Sequence, residues 1–385
     1  MKIAQIVSTF PPYKGGIGNT AYNFALALQP LGLELTTFFP KYDNQEFADD
    51  KFKIKAIKPL LASGNAAFVP GLYKELNNYD ILFFHYPFFG GTEPIILRKL
   101  FNPDQKLVVY YHQDSMPPQD FLRKLIFKFY NLVWLPILLR LADKIIVSSF
   151  DYAQNSNLAK YLEKNKNKFA EVPFGLNYEI FKKLPADDET LQEIARLIDY
   201  QENEKVISYV GNLSSTHYFK GVDYLLDAFV RLNEKYNNLK LCLVGRGDLV
   251  DEFKNKTVDL KIDKLVFILN KLNDQQLNAV YNLSSVNVLP SINRAEAFGL
   301  VSTEAMAAGT PVITTDLPGV RQVYDNEISG LICKIKDAAD LAEQIAKLIN
   351  NDGLQQKMGQ AALLKAQKYN WAKSAAQLKN IFQQL

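Results

Sequence analysis

Two glutamates, Glu296 and Glu304, stand eight positions apart in the stretch RAEAFGLVSTEAMAAGTP, which runs from Arg294 to Pro311. Phe298-Gly299 reads as a turn. The run from Leu300 reads as a helix, stopped by Gly309, with Thr310-Pro311 leading to the next element. Glu296 then falls in the loop just before the helix, and Glu304 about one turn inside it. A helix start exposes unpaired backbone amides that attract phosphate or clustered hydroxyls. An ionised carboxylate accepts hydrogen bonds from a pair of hydroxyls. The spacing therefore suits a ligand that is half sugar and half phosphate. Spacing alone leaves the plainer alternative open, since any helix surface carries glutamates.

Other residues have types suited to the same chemistry. Lys220, in FKG, reads by itself as a solvated lysine at a helix start. A lysine at a helix N-terminus opposes the helix dipole, which favours an anion-binding role over a merely solvated one. Lys14-Gly15-Gly16-Ile17-Gly18 joins the first apolar run to the first helical one, and glycines there allow backbone to approach a ligand, or simply a tight turn. Of the three histidines, His85 ends DILFFHY, His112 ends VVYYH and His217 precedes the FKG lysine. His85 is expected to fall there by chance, in a core or on a surface, without a role in the site.

Short apolar runs must position these groups. IAQIV, LELTTFF, DILFFH, KLVVYYH and KIIVSS in the first half read as parallel strands covered on both faces, as do ISYVG, LKLCLVG, KLVFIL, VNVLP and PVITT in the second. Amphipathic runs between them, such as 19–31, 221–234, 274–283 and 300–308, read as helices. The alternation predicts an α/β chain of two doubly wound domains, with ligands beyond the carboxyl ends of the strands in a cleft between them. The expected division is 1–184, a charged linker over 185–204, a second domain over 205–362, and a C-terminal helix over 363–385 that packs back on the first domain.

A chain of 385 residues with 48% hydrophobic and 22% charged residues is a globular one. A net charge of +3 gives no support to a nucleic-acid partner. The two cysteines, in KLCLVG and GLIC, read as buried thiols of a reducing compartment. The chain opens directly on a strand, and no apolar run reaches membrane-spanning length, so the expected location is the cytoplasm or the inner face of a membrane. Phe121 to Lys144, FLRKLIFKFYNLVWLPILLRLADK, mixes Arg123, Lys124, Lys128 and Arg140 with large apolar residues. It reads either as an interfacial helix for an anionic membrane or as a core helix kinked at Pro136. The acidic runs FADD near Asp49 and ADDE near Asp187 fall in loop or linker contexts, so no metal site is expected.

The stretch EAFGLVSTEAMAAGTPVITTDLPGV resembles the signature of the GT-B glycosyltransferases of family 4. So, in order, do PPYKGGIGNTAYNFALAL, YYHQD, PFGLNYEIF, VGNLSSTHYFKGVDYLLDAF and LVGRGDL. The resemblance spans nearly the whole chain and implies a GT-B fold, two Rossmann-like domains facing across a cleft. It implies that Glu304 binds ribose hydroxyls and that Glu296 holds hydroxyls of the transferred sugar. Ala297, Phe298, Gly299 and Leu300 would line sugar and diphosphate, Lys220 would meet the diphosphate, and Gly15 and Gly16 would lie close by. His112 would sit near the reacting carbon, and Asp114 would meet an acceptor hydroxyl. One position departs: the arginine usual after the glycine of YVG is Asn212, so either the diphosphate is held more weakly or Arg294, Arg246 or His217 supplies the missing cation, with Arg294 preferred for its closeness to Glu296.

The implied activity is a retaining, metal-independent transfer of a hexose from a GDP- or UDP-activated sugar, with the leaving phosphate taking the acceptor's proton and no cofactor beyond the substrates. The acceptor would be a glycan or a lipid-linked chain of cell-envelope or exopolysaccharide synthesis. Two rivals share the architecture: a sugar-nucleotide epimerase or hydrolase, and a non-catalytic nucleotide- or glycan-binding relative.

Overall fold

The computed structural model describes residues 1–11, 16–42, 51–115 and 121–385, with only the backbone of 121–123. Lys14, Gly15 and the acidic run at 47–50 therefore lie outside the described residues. The chain divides into two compact units, Met1–Gly175 with Asn370–Leu385, and Leu176–Tyr369.

The first unit holds strands β1 (Lys2–Ile6), β2 (Glu34–Pro40), β3 (Lys53–Ile57), β4 (Leu61–Ser63), β5 (Ala66–Phe68), β6 (Ile81–Tyr86), β7 (Lys106–Tyr111), β8 (Lys144–Val147) and β9 (Phe169–Glu171). Seven form one parallel sheet in the order β3-β2-β1-β6-β7-β8-β9, while β4 and β5 pair as a separate antiparallel hairpin. Every residue of β6 is buried, as suits a mostly apolar strand covered on both faces. The order reverses between β1 and β6, which opens a crevice at their carboxyl ends.

The C-terminal helix Trp371–Gln383 belongs to this unit. Asn370 caps it, Trp371 meets Phe24 edge-on at 5.0 Å and Phe382 meets Phe83 at 5.3 Å. Ser374 donates to the Pro173 carbonyl at 2.7 Å and Lys379 to that of Leu31 at 2.9 Å. Burying side chains such as Leu378 and Phe382 contributes about 1.5–3 kcal/mol each.

The second unit holds β10 (Lys205–Val210), β11 (Leu239–Val244), β12 (Val266–Leu269), β13 (Ser284–Leu289), β14 (Val312–Thr315) and β15 (Gly330–Cys333). They form a parallel sheet in the order β12-β11-β10-β13-β14-β15. Its order reverses between β10 and β13. A core of Leu225, Phe229, Leu241, Val286 and Ile345 fills one side.

The segment 185–204, expected as a linker, is part of the second unit. Asp188 caps the helix Glu189–Leu197, and Ile194 and Ile198 are fully buried. Its charges form the solvent face of an amphipathic helix, and that face, not an absence of structure, is what the rise in charge reports. The units change over at Gly175 and again at Tyr369, not at 184 and 362. Gly175 cannot carry a side chain, because a Cβ there would lie 2.3 Å from the Trp371 nitrogen.

The stretch 121–144 divides rather than choosing one role. The helices Phe121–Phe129 and Leu135–Leu141 flank a π-turn over Tyr130–Trp134. Pro136, lacking an N–H, cannot bond back to the carbonyl of residue 132, which accounts for the widened turn before it. Tyr130, Leu135, Leu138 and Leu139 are buried, whereas Leu125, Ile126, Phe129 and Leu132 are 58%, 52%, 54% and 72% exposed.

Candidate functional site

In the second unit the loops leaving β10 and β13 flank the point where the strand order reverses, and they are tied together. The β10 exit passes through Gly211, Asn212 and Leu213 into a 3-10 turn, Ser215–Lys220. Asp248 closes the start of that turn by accepting from the Ser215 nitrogen at 2.9 Å and hydroxyl at 2.6 Å. Gly221 ends it with φ of +72°. A Cβ at Gly221 would lie 2.1 Å from the Pro290 carbonyl oxygen, and Ile292 donates to the Phe219 carbonyl at 2.7 Å. Only glycine meets both demands, a left-handed backbone and contact with the β13 exit.

This seam brings Lys220 to Glu296: the ammonium lies 2.5 Å from Oε2. Both side chains are largely buried, at 16% and 11% exposure. Ser291 donates to the same oxygen at 3.3 Å. An ammonium has three protons and a carboxylate two oxygens, so the pair keeps capacity on both sides for phosphate and hydroxyl ligands. Removing either partner leaves a largely buried charge uncompensated.

Beyond Glu296 the chain runs through Ala297 and Phe298, both buried, to Gly299. Gly299 begins the helix Leu300–Ala307 from a φ of +80° with no side-chain cap, so its first amides are free for a ligand. Phe298 packs edge-on against Tyr369 at 5.5 Å. Ser302 in the first turn and Tyr209 below the β10 exit carry buried hydroxyls with no hydrogen-bond partner among the described residues.

Glu304, one turn inside, is half-buried and accepts from the Tyr281 hydroxyl at 2.9 Å. Burial pushes its carboxyl up to about 8, against the opposing effect of the Tyr281 hydrogen bond. At neutral pH it is therefore mostly a neutral acid. No feature of the sequence marks Tyr281 as its partner.

Asn212 is exposed and Arg294 half-buried. Of the cations weighed as substitutes for an arginine at 212, His217 is held below the ordinary histidine value by burial, then by Lys220. Its Nδ1 lies 2.8 Å from the Ser214 hydroxyl. Burial and Lys220 both favour its neutral form, which makes it a weaker substitute than the two arginines. Arg246 donates from Nε to the Asn270 carbonyl at 2.7 Å.

In the first unit His112 follows β7, 4% exposed, with its ring stacked on Tyr110 at 4.6 Å and Phe174 at 5.6 Å. Burial lowers its pKa to about 3. Its Nε2 lies 2.7 Å from Nδ1 of His85; His85, expected to fall in a core or on a surface without a site role, is fully buried and touches the candidate residue directly. Asp114, expected to face an acceptor hydroxyl, is 1% exposed. Its Oδ1 accepts from the Tyr111 hydroxyl at 2.6 Å and the Asn157 nitrogen at 3.1 Å, so it braces the loop from within. Gly16 opens the helix Gly16–Leu28 with nothing near its Cβ position. The glycine that close approach requires is Gly18, whose Cβ would lie 2.7 Å from the Thr9 carbonyl oxygen.

The family described as Glycosyl transferases group 1 matches residues 192–365, and Glycosyltransferase Family 4 matches residues 14–158. A D-inositol 3-phosphate glycosyltransferase of Corynebacterium aurimucosum is 26% identical over 99% of this chain and 96% of its own. An O-antigen chain mannosyltransferase C of Escherichia coli is 25% identical over 94% and 92%. Among solved structures, Anabaena HepE in complex with UDP-glucose superposes with a TM-score of 0.77 at 16% identity, over the whole of both chains. The fold, the two family matches and these relatives agree: the chain belongs to the family 4-like glycosyltransferases of the GT-B fold.

Proposed function

We propose that the protein moves a hexose from a GDP- or UDP-activated sugar to a glycan or lipid-linked acceptor, with retention at the anomeric carbon and without a metal ion. The Lys220–Glu296 pair beside an uncapped helix start carries this reading. As the bond from the anomeric carbon to the phosphate oxygen breaks, both bonding electrons stay with the diphosphate. The Lys220 ammonium and the amides at Leu300 and Val301 stabilise that charge, the role a divalent cation would otherwise fill. Glu296 accepts from hydroxyls of the departing sugar and Glu304 from the ribose. The leaving phosphate oxygen takes the acceptor hydroxyl's proton on the face it vacates, which gives retention. Arg294 supplies the second cation in place of an arginine at 212.

The names of the Corynebacterium and Escherichia relatives point to an inositol phosphate and an O-antigen chain, and a cell-envelope acceptor follows by likeness. The exposed Leu125, Ile126, Phe129 and Leu132, flanked by exposed Lys124 and Lys128, fit the surface of an anionic membrane that holds such an acceptor. Among the described residues no helix is long and apolar enough to cross a membrane.

The test is nucleoside diphosphate release from UDP-, GDP- and ADP-hexoses, with and without envelope glycan acceptors, in chelator, with product anomer read by NMR. Acceptor-dependent release with a retained anomer supports the proposal. Inverted product, dependence on added metal, acceptor-independent hydrolysis or epimerisation, or no turnover of any sugar nucleotide each removes it.

A further inference from the structure

A row of polar side chains crosses the buried sheet of the first unit. Thr37 of β2 and Gln5 of β1 are register partners. Gln5 pairs with Phe83 of β6, two residues before His85, and His85 pairs with Tyr110 of β7, two before His112. Steps of two keep side chains on one face of a sheet, so Thr37, Gln5, His85 and His112 lie side by side. Thr37, Gln5 and His85 are fully buried.

The hydrogen bonds in this row have a forced direction. Gln5 Nε2 lies 2.8 Å from the Ala21 carbonyl, which can only accept, and its Oε1 accepts from the Thr37 hydroxyl at 3.2 Å. The amide orientation is thereby set, and Nε2 must also donate to His85 Nε2 at 3.1 Å. His85 therefore accepts on Nε2. Its pKa lies well below the ordinary histidine value, through burial first and His112 second, so the neutral ring carries its single proton on Nδ1. That proton is donated to His112 Nε2, 2.7 Å away. A neutral His112 must then carry its own proton on Nδ1.

We propose that Gln5 and His85 are positioning residues that lock His112 as the Nδ1–H tautomer, so that it meets the reacting sugar as a one-proton hydrogen-bond donor and not as a base. The inference rests on the transferase reading above and deepens it. With Nε2 filled by His85, His112 has no nitrogen free to take the acceptor's proton, and that proton goes to the leaving phosphate. The Nδ1–H remains to steady an oxygen of the sugar, between the flanking rings of Tyr110 and Phe174 that fix the imidazole plane.

The chain has only three histidines, so ¹⁵N-histidine NMR of the full-length protein resolves each ring, with assignment by single substitution. In the unsubstituted protein His112 and His85 should both show a protonated Nδ1 and an unprotonated Nε2. His85→Leu removes the donor: His112 should become a mixture of tautomers, and kcat should fall about ten- to a hundredfold with the donor KM nearly unchanged. His85→Asn, whose side-chain amide can reach the position of the histidine Nδ1 and donate there, should restore the single tautomer and most of kcat. An Nε2–H or doubly protonated His112 in the unsubstituted protein, or a His112 spectrum and kcat indifferent to His85→Leu, overturns the proposal. If His85→Leu does not fold, the spectrum of the unsubstituted protein decides. The expected spectra without transfer to any acceptor would sink the transferase reading and leave the tautomer lock standing.

Discussion

Replacing Lys220 does two things at once, and they can be separated. Lys220→Ala withdraws the cation from the leaving diphosphate, and turnover should fall on the order of 10²–10³-fold. It also leaves Glu296 largely buried without its partner, which lowers the thermal midpoint. A Lys220→Met, Glu296→Gln double variant removes both charges together. It should recover most of the lost midpoint while turnover stays low. Recovery of turnover with stability would make the pair purely structural. Glu304 offers a test through pH. Its folded pKa of about 8 lies above the ordinary value, so the protein favours the neutral acid, and stability present below the ordinary carboxylate range is lost as pH rises through about 8. Glu304→Gln should accordingly gain thermal stability relative to the unsubstituted protein across that window. Two ribose hydroxyls are better accepted by the ionised form. The diphosphate of a sugar nucleotide is already fully ionised at these pH values, so calorimetric donor affinity should rise toward pH 8 and level off above it. Glu304→Gln should flatten that dependence; an unchanged profile would place the nucleotide elsewhere.

At the scale of elements, the seam between the β10 and β13 exits decides whether Lys220 reaches Glu296. Gly221→Ala adds a methyl where only 2.1 Å is open to the Pro290 oxygen, on a backbone at φ +72°. A left-handed strain of about 1–3 kcal/mol is expected on top of the displacement. Thermal midpoint and kcat should fall together, and a normal kcat in the folded variant would show that the seam does not aim the lysine. How legible these elements were follows from their physics. Continuous apolar strands declare themselves by composition, and glycines before helices mark the exits where ligands bind. The helix Glu189–Leu197 was hidden because its charged face outweighs two buried isoleucines. The contact between His85 and His112 depends on β6 and β7 being neighbours with a two-residue stagger, which no local window contains. The Tyr281–Glu304 bond is likewise a product of tertiary packing, and Asp114 turned inward because Tyr111 and Asn157 claim its carboxylate.

For the whole molecule, a net charge of +3 is too small to draw it to an anionic surface by bulk electrostatics, so the membrane attachment proposed above would have to come from a local patch. The helix Phe121–Phe129 and the turn after it supply one: Leu125, Ile126, Phe129 and Leu132 face outward beside Lys124 and Lys128. Each basic side chain near such a surface contributes about 1 kcal/mol, and apolar burial adds about 25 cal/mol per Å². The two contributions answer differently to salt. Electrostatic attraction weakens as the screening length shortens from about 10 Å at 0.1 M to about 3 Å at 1 M, while apolar insertion persists. The full chain should therefore sediment with phosphatidylglycerol vesicles, less with phosphatidylcholine, and only partly detach in high salt. Phe129→Glu with Leu132→Glu should abolish sedimentation and leave the thermal midpoint unchanged, because neither side chain is in the core. Lys124→Glu with Lys128→Glu should remove the preference for anionic lipid while keeping weak, salt-resistant attachment. A chain that stays in the supernatant with anionic vesicles at low salt would show that this apolar face serves something other than a bilayer, and the lipid-linked acceptor would lose its physical support.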